Sequence, residues 1–216
     1  MLMFQGLALG QVDPGLQIGA LIIALAVAII FHEVAHGWAA LYLGDPTAKL
    51  AGRLSLNPLA HVDIFGTIVL PLLLILSGTG FVFGWAKPVP VNYYNLRAGK
   101  WGPVLVALAG PATNLVLLVL FGVLFRISPV NTALPTLFFT IAQVNAVLMM
   151  FNLIPLPPLD GSKILYLFLE NRPDIIAWLE RYAFFVLLGV IIFLPGILNA
   201  FVFGPAVSLL RLVTGV

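Results

Sequence analysis

From Pro14 to Phe31 the chain is apolar and carries no ionisable side chain, and the run then closes on His32, Glu33 and His36. Asp13-Pro14 has the form of an N-cap followed by proline at the first helical position, so the pattern predicts a helix from about Pro14 to Leu43. A second, otherwise apolar helix is predicted from about Gly102 to Arg126, with Asn114 inside it. Further on, a helix begins near Gly161, Asn171 to Asp174 reads as a loop, and Ala177 to Phe203 is mostly apolar with a break at Pro195-Gly196. Val202 to Val216 is expected to form a last short helix.

The region between the first two helices has a different pattern. Asp63 precedes the apolar run Ile64 to Trp85, read as a capped helix ending at Ser77-Gly78-Thr79-Gly80. About fourteen residues at 1.5 Å each give roughly 21 Å, short of the roughly 30 Å hydrocarbon core, so a re-entrant segment is expected there. The stretches Lys49 to Leu56 and Phe81 to Asn92 have the alternation and prolines of short membrane-associated β-strands.

Composition sets the solvent in which these elements sit. With 62% hydrophobic and only 8% charged residues, a chain of 216 residues has too little polar surface to cover a soluble globule. Apolar runs of about 20 residues, in place of ten-residue alternating segments, make the expected class an all-α integral membrane bundle of about 4–6 transmembrane helices. A single domain is expected over 1–216, with a core of about 14–170 and C-terminal helices over about 175–216. The N-terminal stretch lacks the Lys/Arg region of a secretory signal and reads as mature sequence.

Charge refines the topology. If the segment after Asp63 enters and leaves on one side, Lys49, Arg53, Lys87, Arg97, Lys100, Lys163, Arg172 and Arg181 share a face, against Arg126 and Arg211 on the other. The positive-inside rule makes the first face cytosolic, with the N-terminus outside and His32 to His36 in the cytosolic half of the membrane. No basic cluster is interleaved with aromatic residues, which argues against nucleic acid as a partner. The absence of cysteine excludes disulfides, thiolate ligands and a cysteine nucleophile.

His32 and His36 stand four residues apart and share a helix face, with Glu33 one position round. In this H-E-x-x-H arrangement neutral imidazoles hold Zn²⁺ and the carboxylate acts as a base toward water. The competing explanations are a chance match and histidines that only hydrogen-bond within the bundle. Three ionisable groups on one turn at membrane depth favour a functional site. A catalytic zinc takes three protein ligands and keeps one position open. The residues alone leave the third ligand open between His61 and Asp160, since Asp160 also stands where it would cap the helix beginning near Gly161.

At this point the chain resembles the site-2 proteases, intramembrane zinc metalloproteases, and among them the short forms without PDZ or CBS domains. The resemblance rests on His32-Glu33-Val34-Ala35-His36, on Gly110-Pro111-Ala112-Thr113-Asn114, and on the run Asn152 to Gly161, NLIPLPPLDG. It implies Asp160 as the third ligand of one Zn²⁺ per chain and Glu33 as the general base. His61 then becomes a residue behind the ligands, on the substrate side, or a satisfied interfacial histidine. Asn114 and Asn152 are candidates for contacting substrate or oxyanion, or for packing between helices. Prolines 155, 157 and 158 break the helix before Asp160, which only backbone shielded from lipid tolerates.

The expected function is hydrolysis of a peptide bond in or near a transmembrane segment of another membrane protein within the lipid bilayer. The strand-like stretches would receive the unwound substrate by strand addition. Two rivals remain: a zinc-binding membrane protein without hydrolytic activity, which has no need of Glu33, and a small transporter, which would spread its polar groups over several helices.

Overall fold

A computed structural model describes residues 13–69, 72, 73, 76 and 86–216. The expected turn at Ser77 to Gly80 and the first part of the second strand-like stretch lie outside the described residues. Eight α-helices are used below: α1 Pro14–Tyr42, α2 Thr47–Leu50, α3 Gly102–Ile127, α4 Leu134–Asn152, α5 Ser162–Phe168, α6 Pro173–Phe193, α7 Pro195–Leu198 and α8 Gly204–Thr214. Among the described residues, five stretches are long and apolar enough to cross a membrane: Pro14–Tyr42, Gly99–Ile127, Leu134–Asn152, Pro173–Phe193 and Pro195–Thr214. The chain is therefore an all-α membrane protein.

α1 starts where its sequence predicts, because the Asp13 carboxylate accepts from the Leu16 N–H at 3.0 Å, satisfying one of the donors that a helix start leaves free. Its buried residues include a row at intervals of four, Ala20, Ala24, Ala28, His32, His36 and Ala40, flanked by Ile30, Val34 and Gly37. Small side chains along such a row let neighbouring backbones approach closely, as helices in lipid require. α1, α3 and α4 pack on one another pairwise, so both histidines lie on the packed ridge. On the other side of α3 and α4, α8 completes an apolar cluster of Leu118, Phe139, Ala142, Ala146, Ala206 and Leu210.

The connection from α1 to α3 differs from its expectation in part. Asp63 caps a helical turn as predicted, its Oδ1 accepting from the Gly66 N–H at 2.7 Å. The expected strands are absent among the described residues. Lys49 and Leu50 end α2, and residues 51–56 continue as a turn and irregular chain. Residues 86–92 are irregular and pair with no strand, because Pro88 and Pro90 have no N–H to give to a ladder. Side chains and single backbone groups take the place of a partner strand. The Arg53 guanidinium donates to the Lys87 carbonyl at 2.6 Å, and the Lys87 N–H donates to the His61 carbonyl at 3.0 Å.

After α4 the chain turns sharply back on itself. The Gly161 N–H donates to the Asn152 carbonyl at 2.7 Å, pinning the proline-rich loop against the helix end. A Cβ at Gly161 would fall on the carbonyls of Leu153 and Ile154, so this fold-back has room only for glycine. The helix that follows begins at Ser162, and α6 already begins at Pro173, leaving a shorter loop than expected around Arg172.

Candidate metal centre

The fold-back carries Asp160 to the histidine ridge of α1. Its Oδ2 lies 3.1 Å from His32 Nε2 and 3.4 Å from His36 Nε2, while the two Nε2 atoms are 3.0 Å apart. No side chain caps the following helix, so Asp160 is not spent on capping. These three residues form the group whose ligand atoms converge within 4.8 Å, and His61 is not among them.

Hydrogen bonding behind each imidazole fixes its tautomer. Val106 presents a backbone carbonyl 2.8 Å from His36 Nδ1, so that nitrogen carries the proton and donates. Asn114 Oδ1 stands 2.6 Å from His32 Nδ1, and the amide's other end donates to the Ala28 carbonyl at 3.2 Å and to Asn145 Oδ1 at 2.8 Å. A neutral ring has one N–H, so both Nε2 atoms present bare lone pairs. The buried Asp160 Oδ2, a third acceptor, has no hydrogen-bond partner. Three acceptors crowded together without a proton repel one another unless a cation sits among them. Two imidazole nitrogens and a carboxylate oxygen are also the donor set of a catalytic zinc with an open position. The residues fit the ion.

Room for the pair is made by Gly110. A Cβ there would lie 2.5 Å from His36 Nε2 and 2.6 Å from His32 Cε1, so α3 approaches α1 this closely only without a side chain. Asn114, one turn further along α3, then reaches His32. Glu33 is half-buried beside the histidines, and its Oε2 accepts from the Val89 N–H at 2.8 Å. The irregular segment that Arg53 holds thus touches Glu33 through Val89.

The other candidates lie elsewhere. His61 is buried and donates from Nε2 to the Ser55 carbonyl at 2.7 Å, with its Nδ1 unpartnered. Asn152 turns its amide onto its own helix, donating to the Leu148 carbonyl at 3.0 Å, while its backbone carbonyl anchors the fold-back. One turn after Asp160, the Lys163 ammonium rests 5.2 Å from the Tyr93 ring centre and 4.8 Å from that of Tyr166. Burial pulls the Lys163 pKa below its ordinary value, against the Glu180 and Asp160 carboxylates, which raise it. Asp45, fully buried at the end of α1, accepts from Thr47 Oγ1 at 2.5 Å, Asn95 Nδ2 at 2.9 Å and the Asn92 N–H at 2.7 Å. Burial raises its pKa, but these bonds outweigh burial and hold it below the ordinary carboxylate value.

Sequence reasoning missed Asn145, Arg53 and the Val89 N–H. For Asn145 a signal existed, since an amide in the middle of an apolar helix is costly unless paired. No periodicity signals a backbone N–H that comes from 56 residues away.

Comparison with known proteins gives the same direction. The model of "Peptidase family M50" matches residues 127–195. "Putative zinc metalloprotease YwhC" of Bacillus subtilis is 43% identical over 154 residues, covering 67% of this chain and 67% of that protein. "Putative zinc metalloprotease Rip2" of Mycolicibacterium smegmatis is 33% identical over 163 residues, 72% of this chain and 60% of its own length. The protein of the same name in Mycobacterium tuberculosis is 29% identical over 203 residues, 89% of this chain and 74% of that one. No solved structure gives a significant match.

Proposed function

We propose that this chain, which belongs to peptidase family M50, the site-2 proteases, is a zinc-dependent intramembrane endopeptidase. It holds one Zn²⁺ on His32, His36 and Asp160 and cleaves peptide bonds in or near transmembrane segments of other membrane proteins. The convergence of two imidazole nitrogens and a carboxylate oxygen at the packed ridge of α1 is the observation that carries this reading. Bound there, zinc supplies a Lewis acid that acidifies water and polarises a carbonyl.

The protein's own groups do the rest. Val106 and Asn114 keep His32 and His36 in the tautomer that offers Nε2. Glu33 takes a proton from the attacking water and delivers it to the leaving amine, so that water and amide become acid and amine. The Val89 N–H holds one carboxylate oxygen and leaves the other free to turn toward substrate. Walls from α1, α3 and α4 exclude lipid. Water enters from the cytosolic side, near Asp45 to Asp63, and the N-terminus lies outside a prokaryotic-type plasma membrane. The proteolytic domain comprises the whole chain, its chemistry confined to about 14–170.

The test is co-reconstitution in liposomes with single-span test proteins, and mass spectrometry of the products. Cuts within or beside the span that vanish in Glu33→Gln are expected. Cuts that persist in Glu33→Gln would remove Glu33 from its role, and absence of cutting across a broad panel would leave a zinc-binding membrane protein.

A further inference from the structure

Both amides between α3 and α4 are fully buried, yet only one of them touches a proposed ligand. Asn145 donates from Nδ2 to the Ile141 carbonyl of its own helix at 2.8 Å. A carbonyl can only accept, so this contact sets which end of the Asn145 amide faces which way and turns Oδ1 toward α3. Asn114 then presents Nδ2 to Asn145 Oδ1 at 2.8 Å and, at the longer distance of 3.2 Å, to the Ala28 carbonyl of α1, which turns Asn114 Oδ1 toward His32. That oxygen can only accept, so His32 Nδ1 carries the proton and Nε2 is left bare. The series runs from a backbone carbonyl in α4 to a ring nitrogen in α1, with the Ala28 carbonyl favouring the same orientation of Asn114.

We propose that Asn145 is a positioning residue for the metal centre, supplying the shorter of the two hydrogen bonds that hold the Asn114 amide, beside that of the Ala28 carbonyl, and through that amide holding the tautomer of His32. This rests on the zinc reading above. Groups behind metal-bound histidines set ring orientation and basicity, and losing one typically weakens metal affinity by about 10–100-fold. The bland alternative is that Asn145 serves as polar glue between helices. His36 separates the two, because its tautomer is set by the Val106 carbonyl and owes nothing to Asn145.

Two variants of the full chain in detergent test the proposal. Asn145→Leu removes both hydrogen bonds at similar volume. Asn145→Ser keeps a back-bond to Ile141 but is too short to reach Asn114. Zinc affinity is read by competition with a chelator, and imidazole ¹⁵N shifts are read on the metal-free protein. Zinc binding about 10–100-fold weaker in both variants is expected, with His32 losing its single tautomer and His36 unchanged. Zinc affinity within twofold of wild type would overturn the proposal. So would a loss in which both rings change together, which is what general loosening of the bundle produces. If wild type itself binds no zinc, the zinc reading fails, and the His32 shifts still decide whether Asn145 sets the tautomer.

Discussion

α4 and α6 have similar lengths and hydropathies, but 39% of the apolar window of α4 is buried and only 11% of that of α6. α4 packs against α1, α3 and α8, and α6 packs chiefly on the short α7. Their polar residues follow that difference. In the core, Asn114 and Asn145 are closed into a network with His32. On α6 the ionisable groups Asp174, Glu180, Arg181 and Tyr182 gather in the first three turns, and the remainder exposes Phe184, Phe185, Ile192 and Phe193. A polar group in lipid is tolerated where neighbours satisfy it or where headgroups are near. The buried polar network therefore lies where three helices meet, and the later turns of α6 leave large apolar side chains exposed.

Substitutions that exchange the properties of the two regions break this contrast most strongly. His32→Ala or Asp160→Ala is expected to abolish bound zinc, whereas Phe185→Ala on α6 leaves zinc content unchanged, as elemental analysis of purified protein would show. Glu33→Gln should retain zinc and lower turnover by about 10²–10⁴-fold, the usual worth of a general base.

Gly110→Ala is next in size. Its Cβ would stand 2.5 Å from His36 Nε2, so the imidazole pair must move. Overpacking of this kind costs about 1–3 kcal/mol, and chelator competition should show weaker zinc binding with the chain still folded. Arg53→Ala releases the segment that delivers the Val89 N–H to Glu33. Turnover should fall while zinc content stays at the wild-type level.

The smallest effects lie away from the histidine pair. Asp45 has a folded-state pKa below its ordinary value of 3.8, so its bonds stabilise the protein at neutral pH and are lost as the carboxylate protonates. Thermal stability should decline below about pH 4, and Asp45→Asn should flatten that decline. The exposed pair of Lys100 and Glu170, 3.0 Å apart, should contribute below about 1 kcal/mol, so Lys100→Ala leaves the melting temperature nearly unchanged.

Much of the centre was legible from residue spacing, because its first half is local. His32 and His36 share a face by helix geometry alone, and the Asp13 cap and the row of alanines place that face inward. From the residues alone Asp160 was one of two candidates, and only the family resemblance selected it, since its approach to α1 depends on the fold-back at Gly161, where space and not pattern dictates the path. The strand expectation failed at Lys49 to Leu56 and at residues 86–92 for a related reason. Alternation there is real, but Pro88 and Pro90 cannot pair, and Arg53, His61 and Glu33 supply partners that only tertiary structure assembles. Asn145 was missed because its meaning lies in a contact with a residue 31 positions away.

The most direct measurement is zinc per chain, by elemental mass spectrometry on detergent-purified wild type, Asp160→Ala and His61→Ala. About one zinc in wild type and in His61→Ala, with none in Asp160→Ala, is the predicted result. Zinc kept without Asp160 and lost without His61 would contradict the account.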